Sequence, residues 1–422
     1  MPSVSKSIRA LLTAILCLCM MPLPAFSADS DSLTFLHYWT GALNGGIDET
    51  AEAFNRGNPE FTVRATGFDH EAFKVSINVM LAGGTPPDIF SYWAGAKVES
   101  LVNQNYLASI DQVWTQSNLN TVFPPPMAEA CTYHGQRYAI PLTQHYVAFF
   151  YNKKIFTTHN ITPPTNWEEF IGVCDTLKQA GVTPIALGSR ERWPAQFWFD
   201  YLLLRTAGPV YRHKLMNGLA SYNDPEVKKV FSLWKSLLDA DYFHGSPNVL
   251  DWAEAAQVVH ADKAAMTLMG TWAIGLFDNQ LGWQQDIDYD FFSFPIMDPK
   301  IPLTALGPLD VLVVSREGRP ADVNSVLAYF SDPGPQMEMS RGSGALAPSQ
   351  TIPISFYTPL QRRIISDIRK APHWAFNYDL ATPPEVAEHG LNAFKQFIDN
   401  PSMCNAIRQR LTTQSEAYFN TH

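Results

Sequence analysis

The sequence predicts an α/β protein of two lobes, built on parallel strands with helices on the faces of the sheet. Three observations carry this. From residue 33 short apolar runs alternate with segments of helical period, in the strand–helix–strand–helix–strand order that a parallel sheet produces. The chain has 422 residues, more than one typical domain holds. Its composition, 46% hydrophobic and 13% aromatic without repeats, is that of a packed globule and excludes low-complexity disorder.

Residues 1–27 read as a secretory signal peptide. MPSVSKSIRA carries Lys6 and Arg9, ALLTAILCLCMMPLPAF is apolar and broken by Pro22 and Pro24, and Ala25 and Ser27 supply the small residues of a cleavage site after Ser27. The segment is short for a membrane span. Cys17 and Cys19 follow leucines rather than the small residue of a lipid-attachment box, so a soluble exported protein is expected. Removing Lys6 and Arg9 takes the formal charge from −10 to −12. Such an acidic chain gains nothing from polyanions, which argues against nucleic acid and anionic membrane surfaces as partners. Cys131, Cys174 and Cys404 remain; one disulfide is allowed and none is assigned, and no metal-ligand spacing is present.

The elements follow in order. LTFLHYW is a short strand. IDETAEAF puts Ile47, Ala51 and Phe54 on one helical face, and NRGNP stops it. FTVRATGF is a second strand. HEAFKVSINVML is helical, with Phe73, Ile77 and Met80 or Leu81 inward. AGGTPP is a turn and DIFSYW a third strand. After VFPPP and YHGQRY, the apolar run AIPLTQHYVAFFYNKKIF, polar only at Thr143, Gln144 and His145 in its middle, is long enough to cross between lobes. At TNWEEF, Thr165 and Glu168 have capping-box spacing; Trp167, Phe170, Ile171, Cys174 and Leu177 form the apolar stripe, and Gly181 ends the helix. NDPEVKKVFSLWKSLL begins with an Asp cap and Pro225, and aligns Val227, Val230, Phe231, Trp234 and Leu238. KAAMTLMGTW and LGPLDVLVVS are strands. RPADVNSVLAYF is helical through Val323, Val326, Leu327 and Phe330, and the tail holds two more helices, TPPEVAEHGLNAFKQFI and PSMCNAIRQRLTTQSEAYF.

Ligands of open parallel sheets bind in the crevice beyond the carboxyl ends of the strands. Trp39 ends the first strand and Trp93 the third, so both point at one crevice; Trp193 and Trp272 follow glycine-bearing loops. A pyranose has apolar C–H faces that aromatic rings cover and a rim of hydroxyls that carboxylates, amides and arginine bind in pairs. These four tryptophans are therefore candidate sugar platforms, while Trp114, Trp167, Trp234 and Trp252 sit in helical patterns and read as core. In GSRERWPAQFW, Arg190 and Arg192 are either a solvated charged loop or guanidinium forks for sugar hydroxyls beside Trp193. Gln144 and His145 stand where the chain crosses the cleft, Asp310 near a second crossing, and Asp69 and His70 after the second strand; each is open between a structural and a ligand role. Asp379, with Trp374 and Asn377, precedes the TPPE helix and either reaches the ligand or braces that helix.

Enzyme signatures fail on inspection. HEAFK has Lys74 where a zinc-protease motif has its second histidine. DIDYD has Phe291 at the glycine position of a calcium loop and reads as a polar strand face. GSGALA, residues 342–347, has no strand before it and Pro348 after it. There is no G-x-S-x-G elbow, Walker loop or C-x-x-C.

In series, AEAFNRGNPEFTV, MLAGGTPPDIF, YLASIDQVW, GQRYAIPL, FFYNKKIF, PPTNWEEF, GVTPIALGS, DKAAMTLMGTWAIG and TPPEVAEHGLNAF run in the order of a known family. Over nearly all of the mature chain the sequence resembles the extracellular solute-binding proteins of bacterial ABC importers, in the sugar-binding branch that includes maltose-binding protein. Asp310 departs from the small residues many relatives carry there. The resemblance implies the two-lobed periplasmic-binding-protein fold, with crossing segments and a ligand cleft. It divides the chain into 28–144 for the first lobe, 145–306 for the second, 307–346 as the return to the first and 347–422 as C-terminal helices of the second. It also implies a periplasmic monomer, without cofactor or catalysis, that closes on a carbohydrate and docks on membrane permease subunits. The competing readings are a binder of the same fold for another solute, such as a glycerophosphodiester or polyamine, a secreted carbohydrate-active enzyme, and a sensor subunit.

Overall fold

A computed structural model describes residues 32–59, 61–318 and 323–421. The expected signal peptide lies outside them. The chain makes β1 (Ser32–His37), β2 (Thr62–Gly67) and β3 (Ile89–Trp93), then a small hairpin of β4 (Thr132–Tyr133) and β5 (Gln136–Arg137). β6 (Ala139–Gln144) runs through His145 and Tyr146 into β7 (Val147–Asn152); β8 (Thr183–Ile185), β9 (Ala264–Gly270) and β10 (Tyr289–Phe292) follow. β11 (Thr304–Leu306) leads through Gly307 and Pro308 into β12 (Leu309–Val314), and β13 (His373–Ala375) pairs with β11.

These strands form two principal sheets, one per lobe. The first has the order β2-β1-β3-β12-β6, the second β10-β7-β9-β8. In the first, β1 is parallel to β2 and β3, while β12 is antiparallel to both β3 and β6. In the second, β8 and β9 are parallel, and β7 is antiparallel to β9 and β10. The sheets are thus mixed rather than parallel throughout, because β6, β7 and β12 enter from the crossings and not from helical returns. β3, β7, β9 and β12 are buried at every residue. Strands covered by helices on both faces have no polar side, which is why they read as unbroken apolar runs.

Each sheet has its own core. Phe35, Phe73, Phe90 and Leu312 pack in the first lobe; Phe149, Trp198, Trp234 and Phe394 pack in the second. The helix Ile47–Gly57 buries Ile47, Ala51 and Phe54 as its period predicts. Small offsets appear elsewhere. Leu81, not Met80, is the buried third anchor of the helix His70–Ala82, and Leu237 is buried in the helix Pro225–Asp239 where the stripe predicted Leu238. Asn166 caps the helix Trp167–Gln179 by accepting from the Glu169 amide, one residue past the expected Thr165. DIDYD is mostly a turn; Asp286 and Asp290 hold Arg363 at 2.5 and 2.6 Å, so only its last carboxylate belongs to a strand.

Three strand-like segments connect the lobes. Two are the β6–β7 and β11–β12 crossings; at the third, Gln144 and Leu346 exchange both backbone hydrogen bonds at 2.8 Å. Gly307 lies against the first crossing, where a Cβ would sit 1.8 Å from the His145 carbonyl oxygen. Cys131 is buried in the first core and Cys174 in the second, and both are free thiols, as is Cys404.

Candidate functional site

The ends of β1, β3 and β6 and the start of β12 meet at one rim of the first sheet. Register puts Asp310 of β12 across from Trp93 on one side and from Thr143 on the other. Thr143 Oγ1 donates to Asp310 Oδ2 at 2.6 Å. His145, the first residue of the crossing, bonds the same oxygen through Nε2 at 3.1 Å and Thr271 Oγ1 through Nδ1 at 3.0 Å. Thr271 follows the last residue of β9, so His145 ties the two lobes together at the floor of the cleft.

Over this floor lies a hollow of about 640 Å³ including its mouth, of which about 70 Å³ accepts the centre of a water molecule. Trp39, Trp93, Trp193 and Trp272 all line it, with Tyr38 and His145. Trp93 stacks on Tyr38 at 4.5 Å between centroids, and Trp272 meets His145 edge-on at 5.1 Å and Trp193 at 5.8 Å. Trp272 folds back over the strand it follows, with ring atoms 2.0 Å from where a Cβ on Gly270 would stand, so only glycine fits there.

Five polar atoms in the residues around this hollow are buried without a hydrogen-bond partner: the Tyr38 hydroxyl, the indole nitrogens of Trp193 and Trp272, and the side-chain oxygens Asn377 Oδ1 and Asp379 Oδ1. The two indoles are donors, the two oxygens are acceptors, and the hydroxyl can be either. Buried polar groups ordinarily find partners, so this set matches a small solute that both donates and accepts. Asp379 is otherwise committed: Oδ2 takes Lys97 Nζ at 2.7 Å, and its backbone amide donates to Gln196 Oε1 at 2.8 Å. Burial opposes its ionisation, yet Lys97, Lys74 and Gln196 together hold the carboxyl below its ordinary range.

The wall opposite comes from the helix His70–Ala82. Its cap is Asp69, whose Oδ1 accepts from the Glu71 and Ala72 amides at 3.0 and 3.1 Å. Glu71 in turn binds His70 Nδ1 at 2.9 Å and Lys74 Nζ at 2.8 Å. Burial, with the neighbouring Lys74 charge, pushes the His70 imidazole down to about 4, while the partners His70 and Lys74 outweigh burial and draw Glu71 down to about 2. The histidine is therefore neutral at pH 7. Lys74 is also lowered, by burial first and by Lys97 beside it.

Of the expected site residues, Trp39, Trp93, His145, Trp193, Trp272, Asp310 and Asp379 converge on the hollow. Four do not. Asp69 spends its carboxylate capping its helix. Gln144 is tied to Leu346 and lines a different groove on the hinge. Arg190 is gripped by Glu191, Asp251 and Glu254 at 2.7–3.0 Å, and Arg192 binds Glu388 and Asn392 at 2.7 and 3.0 Å. Both guanidinium groups are taken by acids and amides, several from distant segments, which spacing along GSRERW cannot reveal. The hollow also has walls the sequence reading did not select: Tyr38, Lys74, Lys97, Gln196 and Ser343. Tyr38 adjoins Trp39 in sequence, and that adjacency was the available signal. Lys97 had none beyond following the third strand by a few residues. Among the described residues no cluster of three or more metal-ligating side chains is present, and no helix is long and apolar enough to cross a membrane.

The family model for bacterial extracellular solute-binding proteins matches residues 40–337. An ABC transporter extracellular-binding protein of Pyrococcus horikoshii, itself uncharacterised, is 29% identical over 353 residues, 82% of this chain and 78% of that one. A probable sugar-binding periplasmic protein of Brucella suis is 26% identical over 361 residues, 82% of each. Among solved structures, a bacterial solute receptor reported to prefer β-D-galactopyranose exclusively superposes with a TM-score of 0.85 at 24% identity, covering 92% of this chain and 99% of its own. At that identity the likeness speaks for the fold.

Proposed function

This chain belongs to the bacterial extracellular solute-binding proteins, and from that premise we propose that it is an exported receptor that captures a carbohydrate between its lobes and delivers it to the permease of an ABC importer. The observation that carries this is the convergence of four indoles on one hollow, with five unpaired polar atoms, donors and acceptors both, at its wall. Indole faces suit the C–H faces of a sugar ring, and the mixed donors and acceptors suit its hydroxyls. The sugar-binding relative and the galactopyranose receptor support the same class.

The charges argue against the other solutes. A phosphodiester needs uncompensated cations and a polyamine needs uncompensated acids. Here Lys74 is held by Glu71 and Lys97 by Asp379. The first lobe takes residues 28–144 and 307–346, the second 145–306 and 347–422, with residues 1–27 removed on export to the periplasm. The protein acts as a monomer and leaves its ligand chemically unchanged.

The test is a thermal-shift and calorimetric screen of residues 28–422 against mono- and oligosaccharides, with glycerophosphodiesters and polyamines as controls and product analysis of each mixture. A sugar at a hundred times its dissociation constant adds about 2.7 kcal/mol of stability. A shift with a sugar that is recovered intact supports the reading. A shift only with a control, or turnover of the sugar, overturns it.

A further inference from the structure

The aromatic hollow is not the whole cleft. A wider groove adjoins it, about 970 Å³ with its mouth, of which about 280 Å³ admits water centres. Five residues border both spaces: Lys74, Trp93, Lys97, Trp193 and Asp379. Beyond them the character changes, from indoles inside to Asn78, Gln104, Arg192 and Glu388 outside.

At this border stands the Lys97–Asp379 ion pair. Lys97 rises from the helix Ala96–Asn103 on the first sheet, and Asp379 from the short helix Tyr378–Ala381, which is wedged between the lobes with Tyr378 in the second core and Leu380 in the first. The two side chains are 18% and 10% exposed. Lys97 Nζ also lies 4.8 Å over the Trp93 indole, a contact that holds the ammonium in place. Lys97 and Asp379 stand with Trp93 and Trp193 where the two spaces meet, and a ligand passing between the two charged groups would leave two nearly buried charges without partners, a heavily penalised arrangement.

We propose that the Lys97–Asp379 pair is a length-selecting partition: it shuts the indole-lined hollow from the outer groove, so that the protein takes a single sugar ring and refuses a chain of two or more. The proposal rests on the carbohydrate reading above. Selection of this kind works by what the site excludes as much as by what it contacts.

The experiment is titration calorimetry of the mature protein with galactose, glucose and xylose, each against its disaccharides lactose, maltose, cellobiose and xylobiose, repeated on Lys97→Ala and Lys97→Met. The unaltered protein should bind its monosaccharide at least about tenfold more tightly than the matching disaccharide, and either variant should bring that ratio close to one. The ratio, rather than either affinity, is the readout, because Lys97 also lines the hollow. Lys97→Met keeps an unbranched apolar stem beside Trp93, and a melting curve checks that it folds. If the unaltered protein binds a disaccharide as tightly as the monosaccharide, the partition is wrong whatever the variants do. A ratio unchanged in a folded Lys97→Met variant overturns it equally. If no sugar of any length binds, the carbohydrate reading falls and the partition with it, whereas sugar binding without length discrimination removes the partition alone.

Discussion

Trp272 and Trp193 present indole N–H groups that no protein atom accepts. Replacing either by phenylalanine keeps a ring and removes the donor. A net hydrogen bond is worth about 1 kcal/mol, so Trp272→Phe should weaken sugar binding about fivefold while the unliganded melting temperature moves by a few degrees at most. Calorimetry and a melt on the same preparation check it; unchanged affinity would show that the N–H does not face the ligand. His70 makes a second prediction. Its folded value near 4 lies below the ordinary 6.5, so its neutral form contributes stability that is complete above pH 6.5 and drains away as pH falls toward 4. The side chain is 20% exposed, which tempers the loss to about 1–2 kcal/mol between pH 7 and 5. Asp200, raised by burial to about 6 against the pull of Arg212, acts in the opposite sense: the fold gains as pH falls from 6 toward 4. Urea melts of the parent and His70→Gln at pH 7 and 5 separate the two, and equal slopes would refute the histidine assignment. The meeting of Trp39, Trp93 and Trp272 at one hollow was legible because each ends a strand or follows one within two residues. Lys97 was not, because its meaning lies in Asp379, 282 positions away. Arg190 and Arg192 misled for the same reason, since most of their partners come from distant segments.

At the scale of elements, local periodicity placed the segments it addressed to within a residue at Leu81, Leu237 and Asn166, but it left the helices Gln196–Thr206, Pro333–Ser343 and Pro359–Lys370 unread. What it could not reveal was partner strand and direction. β12 reads as any buried strand, yet it runs antiparallel between β3 and β6 and so brings Asp310 opposite both Trp93 and Thr143. The crossings depend on close backbone approach, and Gly307→Ala tests that. Its Cβ would fall 1.8 Å from the His145 carbonyl oxygen, which the two crossing strands can relieve only by separating. The variant should lose about 2 kcal/mol or more of stability and also bind sugar more weakly, because His145 and Asp310 shift with the strands. Denaturant melts and titration decide it; a variant of parental stability would mean that the crossings separate at little cost.

As a whole molecule, the protein is described with its lobes in contact. Lys97 meets Asp379, His70 meets Trp193 edge-on at 5.9 Å, and Gln280 donates to the Gly41 carbonyl at 2.9 Å. Apolar contacts join them, with Leu380 in the first core and Leu43 against the second, and a ligand held between the lobes shifts the population toward this closed arrangement by binding it better than an open one. Small-angle scattering should therefore give a larger radius of gyration for the free protein than for the sugar-saturated one. Identical radii would mean the cleft closes without its ligand.

The placement of β12 also bears on how the chain comes to be folded. The strand that joins β3 to β6 ends at Val314, after all four strands of the second sheet have been made. Until it arrives, β3 and β6 each keep a bare hydrogen-bonding edge. A nascent chain can finish the second lobe's β7–β9–β8 sheet early, but it cannot finish the lobe that begins at its own amino end until three-quarters of its length has been synthesised. Pairings so distant in sequence form slowly. A first lobe that waits for a late strand therefore closes only after the strands of the second sheet have been made.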